Sequence, residues 1–153
     1  FYNDYDLEGN PVKRRAVLAW LQTMRQRGVP VHGLGLQLHI SVRHPLDGEL
    51  AEALAEVRQS GLKLHFSEVD VALNPLGQAI SPTPELLQRQ ADRLQWLFHL
   101  YQQLPPAQQY GITFWGVCDR YTWLRSYLHH DDYPLLFDDA YQPKPAYCAL
   151  AYP

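Results

Sequence analysis

The stretch Lys63-Leu64-His65-Phe66-Ser67-Glu68-Val69-Asp70-Val71 decides how this chain folds. Gly61 closes a helical pattern before it, and the run that follows is short and rich in apolar residues, so it reads as a strand. Alternation puts Leu64, Phe66, Glu68 and Asp70 on one face. The first two are apolar and the last two acidic. A strand of a parallel barrel has this form: its beginning fills the interior and its C-terminal end opens into an active site.

The segments on either side fit the same scheme. Phe1 to Asp4 is a short extended piece. Val17, Trp20, Leu21 and Met24 then fall at helical spacing, and Gly28 and Pro30 stop that helix. The run Gly33-Leu34-Gly35-Leu36-Gln37-Leu38-His39-Ile40 predicts a second strand with strict alternation. Leu34, Leu36, Leu38 and Ile40 share one face, and Gly33, Gly35, Gln37 and His39 the other. A helix over Glu49 to Gln59 buries Leu50, Leu54 and Val57. After the strand at 63–71, Thr83 caps a helix that opens with Pro84-Glu85 and runs to about Leu104. Leu87, Ala91, Leu94, Phe98 and Tyr101 are in register along it, and Pro105-Pro106 ends it. Gly111 to Val117 is the fourth strand. Pro143-Lys144-Pro145 opens a last short helix near Ala146 to Ala151.

Strands alternating with helices, across connections too long for hairpins, predict an α/β fold with a parallel sheet. Two architectures fit: an open doubly wound sheet, or part of a (β/α)8 barrel. No glycine-rich phosphate loop follows any strand, which argues against nucleotide binding. The 153 residues, 46% hydrophobic and 19% charged, suffice for one domain with its own core. A net charge of −3 gives no electrostatic case for nucleic acid or an anionic membrane as partner. The longest apolar run, Ala146 to Tyr152, is far below the roughly 20 residues of a membrane span. Two cysteines, Cys118 and Cys148, make neither a disulfide scaffold nor a four-cysteine zinc site. The chain begins at Phe1, with no Met and no signal peptide, and reads as a cut end.

Polar residues gather at the C-terminal ends of the predicted strands. Gln37 and His39 close the second, Glu68 and Asp70 the third, and Trp115 the fourth, with Trp123 in the loop beyond. Two carboxylates, an imidazole, an amide and two indoles suit glycoside hydrolysis. One carboxylate engages the anomeric carbon, polar groups hold sugar hydroxyls, and indole faces stack on pyranose rings. Taken singly, each residue has a plainer reading: Glu68 in an ion pair, Asp70 capping a loop, His39 and Trp115 in a core. A metal-dependent barrel hydrolase using His39, Glu68, Asp70 and His44 is a further alternative, although no compact ligand-spacing motif supports it. His129-His130-Asp131-Asp132 reads as a solvated loop rim.

These segments resemble the C-terminal half of glycoside hydrolase family 10, the endo-β-1,4-xylanases. Phe1-Tyr2-Asn3-Asp4-Tyr5-Asp6 is similar to the family's fifth strand, Gly33 to Ile40 to the sixth, and Phe66-Ser67-Glu68-Val69-Asp70-Val71 to the seventh. Ile112-Thr113-Phe114-Trp115-Gly116-Val117-Cys118-Asp119 with Thr122-Trp123 is similar to the eighth. Pro134-Leu135-Leu136-Phe137-Asp138 and Pro143-Lys144-Pro145-Ala146-Tyr147 resemble the closing segment. The resemblance covers essentially the whole chain. It implies a TIM barrel of which residues 1–153 carry the last four βα units, a half-barrel. It implies Glu68 as nucleophile of a retaining reaction, His39 orienting it and Asp70 holding His39. Gln37 would lie near the bound sugar, Trp115 and Trp123 on the glycone side, and Tyr5 on the aglycone side. No metal or other cofactor is implied.

The chain departs from the family at Leu38, where a small Ser is usual, at Asp6, where Asn is common, and at Val69, where Leu is usual. The larger departure is that the family's acid/base Glu, which follows Trp-Asn on the fourth strand, has no counterpart in these residues. The resemblance therefore implies a complementary N-terminal half-barrel or a longer parent chain as partner, with xylan or xylo-oligosaccharides as substrate. The alternative is a non-catalytic xylo-oligosaccharide-binding or assembly fragment. Family members that act on insoluble xylan are commonly secreted, so the implied location is extracellular.

Overall fold

Helix and strand alternate along the residues that the computed structural model describes, 1–78 and 81–151. The order is β1 (Tyr2–Asp4), α1 (Pro11–Gln26), β2 (Gly33–Leu36), β3 (His39–Ser41), α2 (Asp47–Ser60) and β4 (Lys63–Ala72). After these come α3 (Pro84–Gln102), β5 (Gln109–Phe114), α4 (Trp123–Leu128) and α5 (Pro145–Ala151). The pairings β1 with β2, β2 with β4 and β3 with β4 are all parallel. β5 pairs with β4. This is the predicted α/β arrangement. No helix among the described residues is long and apolar enough to cross a membrane.

The chain divides into two compact units. The first holds Phe1–Leu38, Pro45–Val69 and Leu100–Thr113. Here Asn3 pairs with Gly35, and Leu36 with Phe66. The Asn10 side chain accepts from the Lys13 N–H at 3.0 Å, and Pro11 follows the cap, so the chain turns into α1 at that point. Arg14 of α1 is buried. It donates to Glu56 of α2 at 2.7 Å and to the Leu7 carbonyl at 2.9 Å. Leu50, Leu54 and Val57 form the buried stripe of α2 as predicted, and Gly61, at φ 68°, ends it. On α1 the helical spacing buries Leu21 but leaves Trp20 about half exposed against Tyr2.

Two corrections concern the strands. Leu64 and Phe66 do not fill a barrel interior. Phe66 packs on Tyr101 of α3 with ring centroids 4.8 Å apart, and the Tyr101 hydroxyl donates to the Leu64 carbonyl, so both lie under the helices. The opposite sheet face carries His65, whose ring meets Phe1 and Tyr110 and whose Nε2 lies 3.0 Å from Thr113 Oγ1.

The second correction is that residues 33–40 are not one strand. β2 stops at Leu36 and β3 begins at His39, because Leu38 takes a left-handed backbone, φ 61°. That conformation costs a non-glycine residue roughly 1–2 kcal/mol. Leu38 is fully buried, and burying a leucine side chain is worth about 1.5–3 kcal/mol, enough to hold it there. The pairing of β4 shifts at the same place. Leu36 is opposite Phe66 and His39 is opposite Asp70, so three steps on one side face four on the other. The extra residue is a bulge in β4, and it interrupts the strand's alternation.

The second unit holds His39–His44, Asp70–His99 and the chain from Phe114 onward. β3 pairs with the end of β4 through His39, Ile40 and Ser41. Gln90 of α3 is buried and donates to the carbonyls of Val71 and Tyr133, both at 2.9 Å. Lys144 and Asp119 form a buried ion pair at 2.9 Å. Nζ also donates to the Tyr133 and Leu135 carbonyls, and Asp119 accepts from the Leu135 N–H at 2.8 Å. Of the predicted solvated rim, His129 and Asp131 are exposed and His130 is partly so, but Asp132 is not. Asp132 is fully buried and caps the N–H groups of Leu73, Asn74 and Tyr133. Cys118 is buried, Cys148 is exposed, and neither is bridged.

Candidate active site

In the first unit the centre of interest is Glu68, half-buried just past the middle of β4. Asn3 Nδ2 donates to Glu68 Oε1 at 2.8 Å, and Asn3 Oδ1 accepts from Ser67 Oγ at 2.5 Å. Asn3 lies on β1, Glu68 on β4, and β2 runs between them. Adjacent strands are about 4.8 Å apart, so the Asn3 side chain must cross β2 to reach β4. Gly35 makes the crossing possible: a Cβ there would collide with Asn3 Oδ1. The Glu68 N–H donates to the Gln37 carbonyl at 3.1 Å, which sets Gln37 beside it. A carboxylate held by a charge-assisted hydrogen bond and still partly open to solvent is in the condition a nucleophile needs.

Tyr5 stands just beyond the end of β1, well exposed. Its N–H donates to Asp4 Oδ1 at 2.9 Å. Lys13, one turn into α1, donates to the same Asp4 oxygen at 2.9 Å and to the Tyr5 carbonyl at 2.6 Å. Its Nζ lies over the Tyr5 ring, 3.7 Å from the centroid. Burial pushes the Asp4 carboxyl up, but hydrogen bonds from Lys13, Tyr2 and the Tyr5 N–H outweigh it and hold the group below the ordinary carboxylate range. The Tyr2 hydroxyl, donating to Asp4, is raised in turn.

In the second unit Asp70 is almost completely buried. Its Oδ2 accepts from Trp123 Nε1 at 2.7 Å and lies 3.0 Å from His39 Nδ1. The carboxylate fixes the imidazole tautomer with the hydrogen on Nδ1. The His39 ring also meets Trp123 at 4.9 Å and the edge of Trp115 at 6.3 Å. Trp115 follows the last strand residue instead of ending the strand, and it is about half exposed.

Of the residues predicted from sequence, the first unit thus joins Glu68 to Gln37 and holds Tyr5 by Lys13. The second joins His39, Asp70, Trp123 and Trp115. Sequence reasoning missed Asn3, Ser67 and Lys13. A signal for Asn3 was present in the two glycines of Gly33-Leu34-Gly35, since glycine inside a strand marks close approach by a neighbouring group.

The family model described as glycosyl hydrolase family 10 matches residues 1–153. The endo-1,4-beta-xylanase of Geobacillus stearothermophilus is 35% identical over an alignment that covers 96% of this chain and 46% of that protein. The beta-1,4-xylanase of Dictyoglomus thermophilum is 33% identical, over 96% of this chain and 43% of its own length. A family 10 structure from Paenibacillus barcinonensis superposes with a TM-score of 0.92 at 30% identity, covering 99% of this chain and 44% of that one. A Xylanase10C variant from Cellvibrio japonicus, solved in complex with xylopentaose, gives 0.89 at 30% identity, covering 98% and 32%. The chain spans less than half the length of each of these relatives.

Proposed function

This chain belongs to glycosyl hydrolase family 10, and we propose that it supplies the nucleophile-bearing half of a retaining endo-1,4-β-xylanase barrel. The observation that carries the reading is Glu68, on the parallel strand β4 just past its middle, held by Asn3 at 2.8 Å. In the proposed reaction a Glu68 carboxylate oxygen attacks the anomeric carbon of a xylosyl unit. A C–O bond to Glu68 forms as the glycosidic C–O bond breaks. The leaving oxygen takes a proton from an acid/base carboxyl, which the complementary half of the barrel would supply. Water then cleaves the glycosyl ester and restores Glu68 with net retention.

Asn3 holds the attacking carboxylate in one orientation, so little reorganisation is left for the reaction. His39 is given a supporting role in the same reaction, and Asp70 together with Trp123 fixes its ring. Gln37, Trp115 and Trp123 contact the glycone and Tyr5 the aglycone. Xylan or xylo-oligosaccharides are the substrate, the remaining four βα units are the partner, and the enzyme works outside the cell.

The test is Glu68→Gln in the intact protein. Xylan hydrolysis is expected to be abolished while the fold persists, and a 2-deoxy-2-fluoro xylobioside should attach to wild type at Glu68, read by mass of the digested protein. Hydrolysis near wild type in the variant would overturn the assignment. A non-catalytic sugar-binding role is the second reading. Binding of xylohexaose by the intact protein with no turnover would select it.

A further inference from the structure

We propose that Lys13 is a positioning residue, which locks the Tyr5 ring into a preformed platform for the aglycone sugar. The inference rests on the proposed xylanase reading and adds to it a residue that does not itself touch the substrate.

Three observations converge. Lys13 Nζ sits 3.7 Å from the Tyr5 ring centroid, so it occupies one face of the ring. The same nitrogen is tethered twice, to the Tyr5 carbonyl at 2.6 Å and to Asp4 Oδ1 at 2.9 Å. Asp4 is itself fixed by the Tyr2 hydroxyl at 2.7 Å and by the Tyr5 N–H. Tyr5 as a residue is nonetheless 62% exposed, so the contact with Lys13 does not bury it. An exposed tyrosine with nothing beneath it samples several rotamers, and this one is held at its backbone and across one ring face.

Position supports the role. Tyr5 lies two residues beyond Asn3, the residue that holds Glu68. At about 3.3 Å per residue that is ~7 Å along the chain, about the reach of one sugar unit. The start of α1 is equally fixed, because the Lys13 N–H is bound by the Asn10 side chain. The Lys13 side chain therefore rises from an anchored point. The charge is also balanced: Asp4 neutralises the ammonium, so the platform presents a neutral surface suited to an uncharged pyranose.

Ordering a flexible side chain on binding weakens affinity, so removing that penalty in advance is worth ~2–10-fold per side chain. The experiment compares wild type, Lys13→Met, Lys13→Arg, Tyr5→Ala and the double variant Lys13→Met/Tyr5→Ala, all in the intact protein. The readouts are KM and kcat on xylohexaose and the unfolding midpoint. Lys13→Met is expected to raise KM ~2–10-fold with little change in kcat, and Lys13→Arg to recover most of the loss. In the Tyr5→Ala background the Lys13→Met change should have no further effect on KM. The inference is overturned if Lys13→Met leaves KM at the wild-type value, or raises it equally with and without Tyr5. A Lys13→Met protein that fails to unfold cooperatively would shift the test to Lys13→Arg, whose KM must then stay near wild type. Wild type that neither binds nor cleaves xylohexaose would instead sink the xylanase reading, and this inference with it.

Discussion

Asn3 and Glu68 lie on strands that are not neighbours in the sheet, yet Asn3 Nδ2 donates to Glu68 Oε1 at 2.8 Å across the strand between. A hydrogen bond to a charged group is worth about 1.5–3 kcal/mol. Asn3→Ala is therefore expected to lower kcat/KM on xylohexaose by ~10–100-fold while the unfolding midpoint moves little. Steady-state kinetics with a parallel thermal melt check this. A loss confined to stability would make the contact structural only.

Gly35→Ala tests the same bond from the other side. The added Cβ collides with Asn3 Oδ1, so the Asn3 side chain must move away from Glu68. Overpacking of this kind destabilises by about 1–3 kcal/mol. The variant should lose activity much as Asn3→Ala does, and in an Asn3→Ala background its effect on activity should largely vanish. Kinetics on the two single variants and the double variant decide the matter.

Lys144 and Asp119 are both buried. Burial pushes the Asp119 carboxyl up and the Lys144 ammonium down, with the mutual attraction opposing both shifts. Removing one partner leaves an unpaired buried charge, typically at a cost of 3–5 kcal/mol, about as much as many domains possess. Lys144→Met is expected to unfold at markedly lower denaturant in a urea titration of the intact protein. Adding Asp119→Asn should return part of the loss, because no charge is then stranded.

Glu56 bridges α1 and α2 through Arg14 and Arg15. Burial raises its pKa, but the hydrogen bonds from the two arginines more than reverse this, and the folded value lies below the ordinary one. The sign follows from proton binding. Between the two values the unfolded chain holds a proton that the folded protein does not, so stability rises with rising pH there. The contribution is fully present above the unfolded value, about 4.3, and is lost as pH falls through the folded one. Glu56→Gln should be less stable than wild type near neutrality, and the gap should narrow towards about pH 3, as measured by urea denaturation along the pH axis.

Much of this was written locally. The stripe Leu50, Leu54 and Val57 and the stop at Gly61 describe α2 well, because helix periodicity and a left-handed glycine act within a few residues. The pairing of strands needs no more than their apolar character and the length of the links. What escaped depends on partners far along the chain. A leucine in a left-handed conformation carries no mark in the sequence, so the break at Leu38 was invisible and the assumed alternation ran straight through it. Asp132 sits in a row of charged and histidine residues that reads as solvent-facing, and only the N–H groups of Leu73 and Asn74 explain its burial. Asn3 was legible as part of a motif but not as a ligand of Glu68, because that role depends on a glycine 32 positions away.

The bulge in β4 has a consequence for how this segment can vary. Because three steps of its neighbour face four of its own, the strand between Phe66 and Asp70 is one residue longer than a regular pairing would allow. Exchanging one side chain there disturbs only that side chain's own contacts. Deleting one residue would restore regular pairing and turn every side chain beyond the cut to the opposite face, moving Asp70 and Val71 out of their buried settings. Residues 66–70 should therefore accept a change of letter far more readily than a change of count, and a deletion scan would find its sharpest minimum there.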